Sequence, residues 1–276
     1  MSRIPFFSII TLSYNQSSFL QKCLDSVASQ SFTDYEHIVL DPGSTDGSRD
    51  ILLNFSSQSL VLDFRPDSGP AHGLNNGLSK ALGRYILIIN SDDYLLEEAL
   101  RNVYTYLKKH AFPMILFCGG YVEDRRLDTR RNFYPGSTCG TFHALGLTQY
   151  FQQGTIISSE LINQEACFNT MNRTCWDGEL VLRLLSKSLI TVARCKEQVA
   201  AFVIHTNSIS GSNSNHLQYQ SDSSAAVRRY YGERILSLRN FIFALPLVIR
   251  LFLKYALDLK LSYWRLTDML LRMYKC

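Results

Sequence analysis

Short apolar runs alternate with amphipathic stretches along the first hundred residues of the chain. Four of the apolar runs have the length of β-strands. We predict strands at residues 6–12, 35–40, 60–64 and 85–89. The stretches between them carry apolar residues at helical spacing. This regular alternation predicts an α/β fold with right-handed crossovers and a Rossmann-like, mostly parallel central sheet flanked by helices.

The pattern is less regular after residue 110. Strands are predicted near residues 114–118 and 155–158. The stretch 207–214 is rich in Ser and Asn and predicts a loop, and the sequence beyond it is predominantly helical. We therefore predict an α/β domain over residues 1–215 and a C-terminal helical extension over residues 216–276.

Polar clusters follow three of the predicted strands, each directly at the carboxyl end of its strand. They are Ser13–Asn15, Asp41–Asp46 and Ser91–Asp93. Ligands of doubly wound sheets bind beyond the carboxyl ends of the strands. The three clusters are therefore expected to meet on one rim of the sheet and to form a binding site there.

Asp92 and Asp93 are the most informative pair in the chain. Two adjacent carboxylates after a buried strand repel each other, and a hard divalent cation such as Mg²⁺ or Mn²⁺ would relieve that repulsion while bridging to phosphate oxygens. The alternative is that one of them caps the helix predicted from about Glu97 to Lys108. The pair alone does not separate the two interpretations.

Composition adds limits to this picture. Residues 228–276 hold ten Lys/Arg and three Asp/Glu, so they carry +7, and the rest of the chain carries −3 of the net charge of +4. No basic block interleaved with aromatics indicates nucleic acid. Seven cysteines without a C-x-x-C pair predict free thiols in a reducing compartment and no zinc site. No signal-peptide pattern opens the chain, so a cytoplasmic protein is expected.

The extension has a basic amphipathic pattern. Its apolar stretch 241–257 is interrupted by Pro246, Arg250 and Lys254. Its longest run without a charged residue, 241–249, is nine residues long and too short to span a bilayer. The basic residues, including Arg265, fall near one helical face. Peripheral contact with a membrane surface and packing on the domain or on a second subunit of a homo-oligomer are both open.

Several motifs occur together in one order. They are Ile9–Asn15 (IITLSYN), Asp41–Ser48 (DPGSTDGS), Pro66–Pro70 (PDSGP), Asn75–Gly77, Asn90–Asp93 (NSDD), Gln153–Thr155 (QGT), Trp176–Leu184 (WDGELVLRL), and His205 followed by Ser208 and Ser210. This set resembles the family 2 glycosyltransferases of the GT-A fold. The first hundred residues carry most of the resemblance, and roughly the last sixty residues lie outside it.

The resemblance implies a role for each matching residue on the nucleotide side. Thr11, Tyr14 and Asp41 would contact the nucleoside, with Asp41 near the base or the ribose. Asp67 and Gly69 would line the nucleotide pocket. Asp92 would face the sugar or the ribose. Residues 1–110 would then form the nucleotide-sugar half of the domain.

The remaining roles concern the metal and the acceptor. By the same resemblance, Asp93 would ligate Mg²⁺ or Mn²⁺ on the diphosphate, and His205 would complete the metal or phosphate shell. Asp177 would be the general base, in an acceptor half spanning residues 111–215. Glu179 is the competing base, and Trp176 stands where many relatives carry a supporting acid.

The function implied is that of an inverting glycosyltransferase of the hexosyl or N-acetylhexosaminyl type. It would move a sugar from a nucleotide-sugar, with UDP-sugars favoured, to a hydroxyl of a glycan or lipid-linked acceptor in surface polysaccharide synthesis, at the inner face of the membrane. One alternative is a catalytically silent nucleotide-sugar-binding or scaffold protein. Another is a sugar nucleotidyltransferase, although its glycine-rich triphosphate loop is absent after the first strand.

Overall fold

The structure is a computed structural model that describes residues 4–165, 168–206, 208, 216–258 and 262–265. The strands are β1 (Phe7–Leu12), β2 (Tyr35–Leu40), β3 (Leu60–Asp63), β4 (Tyr85–Ile88), β5 (Tyr94–Leu95), β6 (Ile115–Asp124), β7 (Thr129–Phe133), β8 (Thr155–Ser158) and β9 (Val192–Ile204). Ser210 and the predicted loop 207–214, apart from Ser208, lie outside the described residues.

Helices connect most of these strands. They are α1 (Ser17–Ala28), α2 (Ser48–Asn54), α3 (Pro70–Leu78), α4 (Ala99–Lys109), α5 (Gly140–Ala144), α6 (Ser159–Glu165), α7 (Trp176–Leu185), α8 (His216–Ala244) and α9 (Leu247–Leu257). A short 3₁₀ turn, Gln152–Gly154, leads into β8. The four strands predicted in the first hundred residues are all present.

Within the described residues the strands form one sheet in the order β3-β2-β1-β4-β8-β6-β9-β5, with β7 paired to β6. The first four strands are parallel, as predicted. Beyond them the sheet is mixed, because β8 runs antiparallel to both β4 and β6. Since β6 and β9 are parallel to each other, the carboxyl ends of β1, β2, β4, β6 and β9 share one edge of the sheet.

Two apolar layers hold the sheet between helices. Phe7 and Ile9 of β1 face a cluster that includes apolar residues of α1 and α4. Ile10 faces the opposite cluster, which takes in α3, α6 and α7. Because both faces are covered, the central strands are rich in apolar residues, and β4 is an unbroken apolar run. The five cysteines within the described residues are free thiols.

The C-terminal extension packs on this domain. The backbone of α8 breaks at Gly232, where φ is +82°, a value that a glycine adopts without steric cost. Pro246 then precedes α9. After α9, the carboxylate of Asp258 pairs with both terminal nitrogens of Arg194 on β9, at 2.6 and 2.7 Å. No helix in the described part of the chain has the length and apolarity that a membrane crossing requires.

Candidate active site

The loops that follow β1 and β2 are hydrogen-bonded to each other. The backbone N–H of Asn15 donates to Ser44 Oγ at 2.9 Å, and the N–H of Thr45 donates to Asn15 Oδ1 at 2.9 Å. The N–H of Ser17, at the start of α1, donates to Asp46 Oδ2 at 2.8 Å. These contacts bring together two of the polar clusters predicted to meet. We call the carboxyl ends of β1, β2 and β4, with their following loops, the donor edge.

Asp41 at the end of β2 is fully buried. Its Oδ1 accepts hydrogen bonds from the N–H groups of Gly43 and Ser44, and from Arg49 Nε at 3.2 Å. Its Oδ2 is buried and has no hydrogen-bond partner. The hydroxyl of Ser13, just after β1, is likewise buried and without a partner. A buried polar atom without a partner is costly, so both atoms suit a polar ligand.

Thr11 and Tyr14 differ in what they present at the donor edge. Thr11 is fully buried, and its hydroxyl oxygen lies 2.9 Å from Nε2 of His37. Burial lowers the pKa of His37 to about 3, so this ring is neutral. The Thr11 side chain therefore faces the interior, not the open rim. Tyr14 is 60% exposed and does stand on the rim.

Asp67 and Gly69 form the turn that begins α3. The N–H of Gly69, whose φ is +130°, donates to Asp67 Oδ1 at 2.9 Å. A Cβ added to Gly73 would lie 2.6 Å from Asp67 Oδ2 and 3.0 Å from Leu12 at the end of β1. The absence of a side chain at Gly73 thus lets the Asp67 carboxylate reach the donor edge.

The two adjacent aspartates after β4 point to different surroundings. Asp93 is buried, and its Oδ1 accepts from the N–H of Val203 on β9 at 2.8 Å. Its Oδ2 accepts from Gln153 Nε2 at 2.6 Å and from Asn90 Nδ2 at 3.3 Å. Both oxygens of Asp93 are therefore engaged in holding β4, β9 and the turn before β8 together.

Asp92 instead meets His205. Its Oδ2 lies 3.2 Å from Nε2 of His205, and its side chain retains some exposure. The ring of Phe19 stacks on His205 with centroids 4.4 Å apart, and the guanidinium of Arg125 lies 5.0 Å from the Phe19 ring. The hydroxyl of Ser208 donates to the carbonyl of His205 at 2.9 Å. An oxygen and an imidazole nitrogen are thus held together at the sheet edge.

The geometry removes the helix-cap alternative for the aspartate pair. Helix α4 begins at Ala99 with Glu98 as its capping residue, well past the aspartates. Burial raises the pKa of both Asp92 and Asp93, and the charge of Asp92 raises the pKa of Asp93 further. A cation beside them would favour the ionised carboxylates.

A divalent metal fits the residues present. In the described part of the chain, no three His, Cys, Asp or Glu side chains are grouped to hold a metal ion. Asp92 and His205 supply two ligands of suitable type. Mg²⁺ in phosphate-binding sites commonly takes one or two carboxylates and completes its shell with substrate phosphates and water. The site therefore suits a metal that arrives with, or is completed by, a diphosphate.

Asp177 is the second residue of α7 and belongs to what we call the acceptor side, formed by α7 and the segment that precedes β8. The hydroxyl of Tyr150 donates to its Oδ2 at 2.9 Å. Burial raises the pKa of Asp177, although the Tyr150 hydrogen bond opposes the shift. A small cavity of about 20 Å³, lined mainly by apolar side chains, borders Asp177 and Tyr150. The neighbouring Trp176 packs edge-on against Phe168 in the core.

Glu179, the competing base, is committed to a different contact. Its buried carboxylate accepts from the side-chain amides of Asn169 and Asn172 at 2.8 to 3.0 Å. The hydroxyl of Tyr230 on α8 donates to it at 3.2 Å, and Arg229 lies 3.5 Å away. Glu179 therefore ties the loop before α7 to the C-terminal extension.

Comparison with known proteins places this chain in a family. Residues 8–166, more than half of the chain, match the family model described as glycosyl transferase family 2. The chain belongs to glycosyl transferase family 2. The match covers the whole donor edge and the segment before β8, and it ends before α7, so Asp177 lies beyond it.

A curated relative supports the same family. The putative teichuronic acid biosynthesis glycosyltransferase TuaG of Bacillus subtilis is 33% identical over 110 residues, which is 39% of this chain and 44% of that protein. The chain spans less than half the length of the curated relatives it matches.

Solved structures of low sequence identity share the fold. TarS of S. aureus in complex with UDP-GlcNAc superposes with a TM-score of 0.64 at 16% identity, covering 87% of this chain and 76% of that chain. The mannosyltransferase PcManGT of Pyrobaculum calidifontis, in complex with GDP-Man and Mn²⁺, superposes with a TM-score of 0.63 at 18% identity, covering 92% and 74%. The predicted GT-A fold is confirmed.

Three residues at this family 2 site had no role assigned from the sequence. Gln153 lies in the quoted Gln-Gly-Thr motif, and that motif was the available signal for its contact with Asp93. Phe19 is one of the apolar residues of α1, and Tyr150 carried no signal in the sequence. Their contacts join segments that are distant in sequence, so periodicity could not reveal them.

Proposed function

We propose that this family 2 protein transfers a sugar from a nucleoside diphosphate donor to an acceptor hydroxyl. The observation that carries the proposal is the contact between Asp92 and His205, 3.2 Å apart at the carboxyl edge of the sheet. It supplies an oxygen and a nitrogen ligand where ligands of such sheets bind. The unpartnered Asp41 carboxylate oxygen lies on the same edge.

Asp41 and Ser13 account for nucleoside recognition in this proposal. The free Oδ2 of Asp41 accepts only, so it selects a base or ribose group that donates a hydrogen bond. The ring N–H of uracil meets that requirement, and the Ser13 hydroxyl is able to donate to a neighbouring carbonyl. Tyr14 offers an exposed ring for stacking. A UDP-sugar is therefore the favoured donor, with TarS as a UDP-GlcNAc-binding structural neighbour.

The roles of the two aspartates are exchanged relative to the sequence-based expectation. Asp92, with His205, holds Mg²⁺ or Mn²⁺, because Asp93 already accepts hydrogen bonds on both oxygens. When bound, the metal neutralises charge on the departing diphosphate. Asp93 fixes the strand ends that carry Asp92 and His205, and so acts as a positioning residue.

Asp177 acts as the base on the acceptor side. It accepts the proton of the acceptor hydroxyl as that oxygen bonds to the anomeric carbon and the bond to the diphosphate breaks, with inversion at carbon. A pKa raised by burial makes the carboxylate a stronger base at neutral pH. The hydroxyl of Tyr150 donates to Oδ2 of Asp177 and so fixes the orientation of the carboxylate.

The proposal also covers the transferred group, the acceptor and the place of the reaction. The transferred group is a hexosyl or N-acetylhexosaminyl unit. The acceptor is a glycan or a lipid-linked glycan of surface polysaccharide synthesis, the process named for TuaG. The reaction takes place in the cytoplasm at the inner face of the membrane, and residues 1–110 and 111–215 serve donor and acceptor respectively.

Calorimetric titration of UDP-, dTDP- and GDP-sugars, with Mn²⁺, Mg²⁺ or EDTA, tests the donor and the metal together, and release of nucleoside diphosphate reports turnover. Metal-dependent binding and release support the transferase. Binding without release, even with a panel of acceptors, supports the silent binder. Pyrophosphate released from a nucleoside triphosphate and a sugar 1-phosphate supports the nucleotidyltransferase.

The variant Asp41→Asn sharpens the nucleoside assignment. Its amide oxygen is able to replace Oδ1 as acceptor from Gly43 and Ser44, while its NH₂ group would face the donor of the base. We expect nucleotide affinity to fall about tenfold or more, because two hydrogen-bond donors, the amide NH₂ and the N–H of the base, would then face each other in a buried site. Asp50→Asn, on the first turn of α2, is the matched control and should leave affinity unchanged.

A further inference from the structure

Helix α9 presents its apolar side to the solvent. Its exposed residues are Leu247, Val248, Ile249, Leu251, Phe252, Ala256 and Leu257. Val248 and Phe252 are the most exposed, at 77% and 69%. The basic residues Arg250 and Lys254 are only partly exposed. The cations of this helix therefore lie toward the protein, and its apolar side faces outward.

Polar and apolar contacts fix this orientation. Lys254 Nζ donates to Gln149 Oε1 at 3.4 Å, and burial lowers the pKa of Lys254. Leu253 packs against Leu145 and Leu147 of the domain. The Arg194–Asp258 pair anchors the residue directly after α9. Since these contacts hold the inward side, the outward apolar face is a property of the folded tail.

The apolar surface continues beyond α9 and carries positive charge at its edge. Phe241 and Phe243 at the end of α8 are exposed as well. The guanidinium of Arg239 lies 5.2 Å from the ring of Phe243. The exposed Arg265 lies 5.3 Å from the ring of Tyr255 on α9. Asp258, which directly follows α9, is already paired with Arg194.

We propose that the surface formed by α9 and the end of α8 docks on a bilayer that contains anionic lipids, with α9 lying in the plane of the interface. A solvent-facing row of Leu, Val, Ile and Phe suits the acyl boundary, and basic residues at its edge suit anionic headgroups. The excess of basic residues in 228–276 also favours a negatively charged partner surface. In a dimer through this face, the basic residues of both copies would lie in or beside one interface, and like charges there oppose association.

The docking surface is connected to the acceptor side. Gln149, which accepts from Lys254, precedes Tyr150, whose hydroxyl donates to Asp177. A membrane-bound tail would therefore hold the acceptor side near the lipid surface, which suits a lipid-linked acceptor. Only the link to a lipid-linked acceptor rests on the proposed function. The docking of the tail on a membrane does not depend on catalysis.

Vesicle co-sedimentation of the full chain tests the docking without donor or acceptor. Phosphatidylcholine vesicles are compared with vesicles that also contain phosphatidylglycerol. We expect binding to the anionic vesicles that weakens with salt, and the double variant Val248→Ser/Phe252→Ser to reduce the partition coefficient about tenfold or more. Leu53→Ser/Leu82→Ser removes two apolar side chains of similar exposure, 66% and 64%, and should bind as the unmodified chain does.

Two further measurements separate the outcomes. Arg265→Gln should weaken binding to anionic vesicles only, with no effect on phosphatidylcholine. Sedimentation velocity reports the oligomer: a dimer that dissociates on Val248→Ser/Phe252→Ser, without vesicle binding by the unmodified chain, would overturn the proposal in favour of a second copy. Equal binding by both double variants would overturn it too. Nucleotide-sugar titration of the same variants shows separately whether the donor site is intact.

Discussion

Asp41 on the donor edge and Asp177 on the acceptor side are held in different ways. Asp41 accepts hydrogen bonds from the backbone N–H groups of Gly43 and Ser44 within its own turn. On the acceptor side, Asp177 is oriented by the hydroxyl of Tyr150, 27 residues away in the sequence. A backbone turn at a strand end is encoded by a short contiguous motif. A contact between side chains that are distant in the sequence has no such local motif. The family match covers Asp41 and its turn and ends before Asp177.

The largest expected effect lies on the acceptor side. Asp177→Asn should lower the turnover rate by about 10²–10⁴-fold, because the amide does not take the hydroxyl proton. Donor affinity should stay unchanged, since Asp177 is not on the donor edge. Single-turnover kinetics with a matched calorimetric titration measures both quantities.

Glu179→Gln is the control for that prediction. Glu179 ties Asn169 and Asn172 to α8, so the variant should lower the free energy of unfolding and leave the chemical step nearly intact. If Glu179→Gln abolished transfer while Asp177→Asn retained it, the base would be Glu179. The comparison between the two regions would then have to be made with Glu179 in place of Asp177.

The next effect separates the adjacent aspartates on the donor edge. Asp92→Asn should weaken metal-stimulated donor binding by at least about 10–100-fold, with little loss of stability, because the side chain meets a metal and not the core. Asp93→Asn should instead lower the free energy of unfolding by about 1–3 kcal/mol, because its amide nitrogen would oppose the donors of Gln153 and Asn90. Titration of donor binding with and without metal, and denaturant unfolding, measure both quantities for each variant. An exchange of the two phenotypes would restore Asp93 as the metal ligand.

The smallest effect is a change of pH dependence. The base must be ionised, so activity is lost as pH falls through the pKa of Asp177, which burial raises above the ordinary aspartate value. The Tyr150 hydrogen bond opposes this rise, so Tyr150→Phe should move the acidic limb of the pH–rate profile to higher pH. Well above that limb, the rate should fall only a few-fold. A uniform loss at every pH, with no movement of the limb, would indicate a packing role for Tyr150.

Much of the donor edge followed from the sequence. The strands at residues 7–12, 35–40 and 85–88 were predicted from apolar runs, and their polar clusters do meet, through Asn15 and Ser44 for example. The mixed half of the sheet was less predictable. β6 and β9 are long, bulged and paired across 77 residues, and no local pattern encodes such pairing.

The sequence by itself determined the order of strands and helices and the convergence of the polar loops, because parallel strands in a doubly wound sheet bring their carboxyl ends to one edge. Only the tertiary structure decided which of two adjacent aspartates is buried. Neighbouring side chains point in different directions, but the choice depends on the donors that Val203 and Gln153 bring to Asp93. Only the tertiary structure decided how α9 is turned, too. An amphipathic pattern defines two faces of a helix, while contacts such as Lys254–Gln149 and Arg194–Asp258 select the face that packs inward.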